Sequence, residues 1–291
     1  MTDVYTLGEP LGIVSSGRVR HESEARLDVC GPEFTLAIAL ARLGHRSAYL
    51  GKVGDDELGA RVLTALRGEG VDVADMRVSE GLRTGLILRE IRVGRSQRVT
   101  QYRAGSAGSR LTPGNVPIDR IAASKMLHVT GLTAGLGRDA LEAVRTAVSA
   151  AKNAGVMVSF SVDYVPELWP SVREAEEVLG ELACDSHLLF LRQDELDLVK
   201  PALTAEREVV VDRGAKGASV RADRMRYDVQ GWQVPIVDTA GAGEAFAAGY
   251  ISAALDGLIP QERLHRGALL SAAAVTSVSD WQGLPTRIDL S

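Results

Sequence analysis

Short apolar runs alternate along the chain with segments whose apolar residues recur every three or four positions. Residues 4–7, 47–50, 125–129, 156–160, 187–191, 208–211 and 218–220 are runs of strand length. Residues 34–43 carry apolar side chains at helical spacing and stop at Gly44, where a left-handed cap is expected. Segments 57–67, 138–153, 175–182, 242–255 and 261–278 have the same period, the first halted by Gly68 and the second by Gly155. Strands alternating with helices of this length predict an α/β fold with a parallel sheet covered on both faces.

Two stretches break the rhythm. Residues 11–29 and 84–102 have strand character without intervening helices, and Gly94-Arg-Ser marks a hairpin turn in the second. They are expected to form a small β-sheet inserted into the α/β core from about 11–31 and 83–104, within one domain spanning 1–291. A sheet assembled from two separated insertions suits a lid over a site.

Composition narrows the function. The 291 residues are 45% hydrophobic and 24% charged, an ordinary globular balance with room for a large core. Net charge is 33 − 38 = −5, and Arg18, Arg20 and Arg26 are interleaved with acids, so no nucleic-acid partner is expected. Two distant cysteines, Cys30 and Cys184, suggest a reducing, cytoplasmic setting. The five histidines (21, 45, 128, 187 and 265) form no metal-binding cluster. The first residues read as a strand and not as a signal peptide, and no apolar run is long enough to span a membrane.

The chemistry concentrates in Val237-Asp-Thr-Ala-Gly-Ala-Gly-Glu-Ala-Phe, where a strand is expected to end and an Ala-rich helix to begin. Glycines let backbone N–H groups approach a ligand, and the helix N-terminus points its unsatisfied N–H groups and positive dipole at the same place. Gly241, Ala242 and Gly243 thus form a candidate anion hole for a transferring phosphoryl group. Glu244, in the first helical turn, is placed to take the proton of an attacking hydroxyl.

The string from Asp238 to Phe246 resembles the C-terminal motif of the ribokinase (pfkB) family of carbohydrate kinases, Asp-Thr-x-Gly-Ala-Gly-Asp-x-Phe. Gly51-Lys-Val-Gly-Asp-Asp-Glu-Leu-Gly, Ala39-Leu-Ala-Arg-Leu-Gly and Arg213-Gly-Ala-Lys-Gly-Ala extend the resemblance over most of the chain. Within the family, Gly8-Glu-Pro-Leu, Tyr102-Arg-Ala-Gly-Ser-Ala-Gly-Ser, Asp163-Tyr, Leu168-Trp and Asp280-Trp-Gln-Gly-Leu-Pro are most similar to 2-keto-3-deoxygluconate kinases. The resemblance implies a Rossmann-like three-layer fold with a β-sheet lid, a homodimer through that lid, and phosphorylation of a sugar or sugar acid with ATP and Mg²⁺. It implies Glu244 as base beside Gly241, Ala242 and Gly243, and Arg213, Gly214, Ala215, Lys216 and Gly217, with Gly241 and Gly243, around the nucleotide. Gly31, Thr35, Tyr102 and Arg103 then meet the sugar, Arg103 by pairing with a substrate carboxylate, and Asp238 stands at a position that often serves a monovalent cation, K⁺.

The chain departs from the family pattern at several of these places. Cys30-Gly31 replaces a Gly-Gly pair, Thr35 an Asn, and Ser161-Val-Asp163-Tyr-Val165 an Asp-x-Asn-x-Arg segment. Ala268 stands for an Asn, and Glu244 for the catalytic Asp, one C–C bond (roughly 1.5 Å) longer. These substitutions leave open a catalytically impaired or non-catalytic metabolite-binding protein of the same fold. A dinucleotide-dependent oxidoreductase lacks its Gly-x-Gly-x-x-Gly after the first strand, where Gly8-Glu-Pro-Leu stands.

Overall fold

A computed structural model of the chain describes residues 1–90, 98–204 and 206–290. Its main sheet has eight strands: β1 (Val4–Leu7), β4 (Ser47–Leu50), β9 (Met126–Thr130), β10 (Met157–Ser161), β11 (Leu188–Arg192), β12 (Glu208–Asp212), β13 (Ala218–Ala222) and β14 (Met225–Val229). They lie in the order β14-β13-β12-β11-β10-β9-β1-β4. The pairs from β4 to β12 are parallel, with Val4 opposite both Ser47 and Met126. β12–β13 and β13–β14 are antiparallel, so the sheet expected to be parallel is mixed at one edge. The physical reason is local: only residues 213–217 separate β12 from β13, too few for the crossover that a parallel pair needs.

Successive residues of each strand supply opposite faces. Val4, Leu188 and Phe190 join the core under helices α1 (Pro32–Arg42), α7 (Ala242–Leu255) and α8 (Pro260–Ala274). Tyr5, Leu189 and Leu191 join the core under α5 (Arg138–Asn153) and α6 (Val172–Cys184). The result is the three-layer α/β sandwich that the alternating pattern predicts, each fully buried Leu or Phe contributing about 1.5–3 kcal/mol. Helix α2 (Glu57–Gly68) starts where the Asp56 carboxylate accepts the Gly59 N–H at 2.8 Å, and it packs beside the smaller sheets. Two short helices, α3 (Ile118–Ala122) and α4 (Gly131–Ala134), flank β9.

The lid sheet comes from the two segments that interrupt the rhythm. Strands β2 (Leu11–Ser16), β3 (Arg26–Cys30), β7 (Leu86–Glu90) and β8 (Arg98–Tyr102) lie in the order β3-β2-β7-β8, with β2 and β7 parallel at its centre. Two further strands that the sequence pattern does not single out, β5 (Lys52–Gly54) and β6 (Arg77–Ser79), form a separate parallel pair. The hairpin turn expected at Gly94 lies outside the described residues.

Two boundaries move, and both movements shape the site. The helix expected over 261–278 ends at Ala274, and residues 275–284 turn back toward α1, where Trp281 packs against Phe34, closed by a Leu284 N–H to Trp281 carbonyl bond of 3.1 Å. The strand expected to end at Val237 does not form. Gly231 and Pro235 interrupt it, Pro235 having no N–H for a ladder, and the Val237 N–H instead reaches the Val275 carbonyl at 2.8 Å.

Candidate active site

The loop before α7 is shaped by two requirements on Gly241. Its φ is +75°, and a Cβ there would collide with the backbone carbonyl of Asp280. The chain therefore turns sharply and α7 begins at Ala242, whose N–H donates weakly back to the Thr239 carbonyl at 3.4 Å before the helical ladder starts. Asp238 organises the approach: its Oδ1 accepts the Ala240 N–H at 3.0 Å. Gly241, Ala242 and Gly243 thus stand together at a helix N-terminus of fourteen residues, with Glu244 in the first turn.

Glu244 lines a cavity of about 210 Å³ above the sheet ends, together with Asp163, Glu195, Asp212, Arg192 and Thr130. Burial first, then the charges of Asp280 and Glu33, push its carboxyl up to about 7. Asp163 follows β10 in a left-handed conformation (φ +39°) that a non-glycine residue adopts only under constraint. Burial, Glu244 and Glu195 together hold its carboxyl well above the ordinary carboxylate range. Arg192 meets the Glu195 carboxylate at 2.7 Å, and Glu195 in turn accepts the N–H groups of Arg192 and Tyr164. Beneath them Glu33, fully buried in α1, accepts the hydroxyls of Thr130 and Thr133 at 2.6 and 2.5 Å.

A second cavity, of about 260 Å³, opens on the other side of the turn. Asp212 and Phe246 line both, so the two spaces meet at the glycine turn. Apart from Asp212 and Gln233 its walls are apolar or small, with Trp232, Ile236, Ala268 and Val275 against Gly214 and Gly217. Trp232 and Ile236 are 53% and 61% exposed, an apolar rim of the kind that accepts a flat ring.

The residues singled out in the sequence fall into three groups. Glu244, Gly243 and Ala242 line the cavities, as do Gly214, Ala215 and Gly217, and Ala268 sits in the second cavity where the family motif has an Asn. Arg213 and Lys216 do not: Arg213 pairs with Asp228 at 3.1 Å and Lys216 faces solvent. Gly31 (φ +146°) precedes α1, pressed so closely on the Glu9 carbonyl that no side chain fits, and Thr35 is buried one turn later. Tyr102 is 60% exposed at the end of β8, whereas Arg103 beside it is buried against Glu9, with Nε at 2.8 Å and Nη2 at 2.6 Å from one carboxylate oxygen. Asp238, read as a place for a monovalent cation, has its Oδ2 at 3.2 Å from the Arg89 guanidinium. Sequence reading missed Arg89, Glu33 and Glu195 as parts of this region. Nothing in their local pattern distinguishes them, since each acquires its role from a partner on another element.

A doubly covered α/β sheet, a β lid, and a glycine turn with a carboxylate at a helix N-terminus together define a ribokinase-like phosphotransferase fold. The chain belongs to the pfkB family of carbohydrate kinases, whose family model matches residues 4–287. It is 33% identical to a 2-dehydro-3-deoxygluconokinase of Bacillus subtilis, over 98% of this chain and 93% of that one. Among solved structures it is similar to a PfkB protein from Polaromonas (29% identity, TM-score 0.88, covering 100% and 99% of the two chains). It also shares its fold with a ribokinase II of E. coli solved with ATP and Mg²⁺ (22% identity, TM-score 0.90, covering 100% and 98%).

Proposed function

We propose that this kinase transfers the γ-phosphoryl group of ATP to a primary hydroxyl of a sugar or sugar acid of the 2-keto-3-deoxygluconate kind. The observation that carries the reading is the position of Glu244. It stands in the first turn of α7, beside the glycine turn, where an apolar slot and a carboxylate-lined cavity meet. The nucleotide base takes the apolar slot between Trp232, Ala268 and the backbone of Gly214 and Gly217. The phosphates then reach the turn, whose amides at Gly241, Ala242 and Gly243 hold the charge that develops on the transferred group.

Glu244 accepts the proton of the sugar hydroxyl as its oxygen forms the new bond to phosphorus and ADP leaves with the electrons of the broken one. Mg²⁺ carried with ATP would supply positive charge that offsets the charge developing on the transferred group. No three acidic, His or Cys side chains among the described residues are arranged to hold a metal. Asp163 and Asp212, which line the same cavity, are the carboxylates that would face such an ion. The sugar lies between the N-terminus of α1 and the lid, with Gly31, Thr35 and Tyr102 around it. Arg103 meets a substrate carboxylate only by giving up part of its pairing with Glu9. At Asp238 we read the Arg89 guanidinium, not K⁺, as the resident cation.

Leu27, Val99 and Tyr102, all exposed on lid strands, support a homodimer paired through the lid. ATP as donor supports a cytoplasmic setting. No helix among the described residues is long and apolar enough to cross a membrane.

The test is turnover. Purified protein with Mg-ATP is offered 2-keto-3-deoxygluconate, ribose, fructose and nucleosides while ADP is measured. Phosphorylation of one of them that disappears in Glu244→Ala supports the reading; no ADP above background with any acceptor sinks it.

A further inference from the structure

Arg89 is a lid residue that ends in the catalytic loop. It projects from the central lid strand β7, paired with Ser15 of β2 and Val99 of β8. Its side chain is 8% exposed and spans two carboxylates: Nη1 lies 3.2 Å from Asp238 Oδ2, and Nη2 lies 2.9 Å from Asp280 Oδ1. Both residues bear directly on the glycine turn, Asp238 through its carboxylate and Asp280 through its backbone. Asp238 holds the Ala240 N–H with its other oxygen, and the Asp280 carbonyl is the atom against which Gly241 is packed. Asp280 is also tied to the lid's first edge. In the same loop, Ser279 donates to Asp28 at 3.4 Å, the Trp281 indole N–H to the Val29 carbonyl at 3.0 Å, and the Gln282 amide to Asp28 at 2.9 Å.

Two buried carboxylates on either side of the turn repel one another unless a cation lies between them. Burial works against the guanidinium charge, yet Asp280 and then Asp238 outweigh it and raise the pKa of Arg89 above its ordinary value. The guanidinium reaches Asp238 with Nη1 and Asp280 with Nη2, so a lysine, which offers one compact charge, replaces the span poorly.

We propose that Arg89 is a positioning residue for phosphoryl transfer: its guanidinium locks the turn at Gly241–Gly243 into shape, and because it sits on the lid, the turn is complete only when the lid is in place. Arg89 touches neither substrate nor the reacting atoms. Its removal therefore lowers the rate of the chemical step more than it lowers binding. The proposal rests on the kinase reading above for its kinetic consequence, but not for its structural one.

The experiment compares Arg89→Ala and Arg89→Lys with the unaltered protein, using Mg-ATP and 2-keto-3-deoxygluconate as probes. Misplacing the turn by about 1 Å is expected to cost kcat on the order of 10²-fold in Arg89→Ala, with KM for Mg-ATP changed by less than about threefold. Low-millimolar guanidinium chloride, by refilling the gap between Asp238 and Asp280, is expected to restore part of the lost kcat. Arg89→Lys, which keeps the charge, folds and falls between the two. In parallel, hydrogen exchange of the resting protein is expected to speed up at 240–243 in Arg89→Ala and to slow again with guanidinium. This second readout needs no turnover, so it judges the lock even if the unaltered protein phosphorylates none of the probes, an outcome that counts against the kinase reading alone. The proposal is overturned if exchange at 240–243 is unchanged in Arg89→Ala. It is equally overturned if kcat in Arg89→Lys and Arg89→Ala stays within about threefold of the unaltered enzyme, or if activity and stability fall together without any response to guanidinium.

Discussion

Glu244→Gln is expected to abolish turnover and at the same time to stabilise the fold. The carboxyl of Glu244 is raised from 4.5 to about 7 by burial, with Asp280 and Glu33 adding to it. A raised carboxylate pKa means that the native state binds the proton more tightly than the unfolded chain. The stability this contributes is present below the unfolded pKa of 4.5 and is lost as pH rises through about 7, because the unfolded chain ionises first. The full shift corresponds to about 3 kcal/mol at about pH 8; solvent entering the cavity mouth reduces this to about 2 kcal/mol. Glutamine keeps the shape, carries no charge and avoids that penalty. Urea unfolding should therefore show Glu244→Gln more stable by about 2 kcal/mol at about pH 8 and by less than about 1 kcal/mol at about pH 5. In a melting experiment the alkaline gain is about 3 °C. A variant that is less stable at about pH 8, or whose gain is the same at both pH values, refutes the argument that Glu244 is held at an electrostatic cost for catalysis.

The other expectations are simpler to state. Because Glu244 must be ionised to accept a proton, kcat/KM should fall as pH drops through about 7, and a profile flat down to about pH 5 would remove Glu244 from the base role. Glu9→Gln takes the carboxylate from Arg103 and Ser106, which it serves between the core and the lid; leaving Arg103 buried and half-paired should cost about 3–5 kcal/mol in denaturant unfolding, and a loss below about 1 kcal/mol would contradict the pairing. Gly241→Ala places a Cβ against the Asp280 carbonyl at a positive φ, so kcat should drop by at least about 10²-fold while the protein still folds; near-normal turnover would show that the turn can relax. Trp232→Ala removes an exposed wall of the apolar slot and should raise KM for Mg-ATP about tenfold with kcat little changed, whereas an unchanged KM would move the nucleotide elsewhere.

Much of the architecture is legible from local pattern. The helix expected at 138–153 is observed as Arg138–Asn153, and the strand expected at 47–50 as Ser47–Leu50. The reason is that such elements answer to a period of 3.6 or 2 and to their own caps, all within a few residues. Where reading failed, the deciding partner was distant. The helix expected to run to 278 stops at Ala274 because residues 275–284 are recruited by Val237, by Asp28 and by the carbonyl of Val29. The guanidinium that meets Asp238, from Arg89, likewise lies 149 positions away in the chain.

The sequence by itself determined the α/β class, the lid segments, the glycine turn and the carboxylate that follows it, since each is written in contiguous residues. The tertiary structure alone decided which charges those residues would face. It set Arg103 on Glu9, Arg89 between Asp238 and Asp280, and Asp163 beside Glu244 in one cavity. Charge pairing depends on distance in space and on the exclusion of water, and neither quantity is carried by the order of residues along the chain.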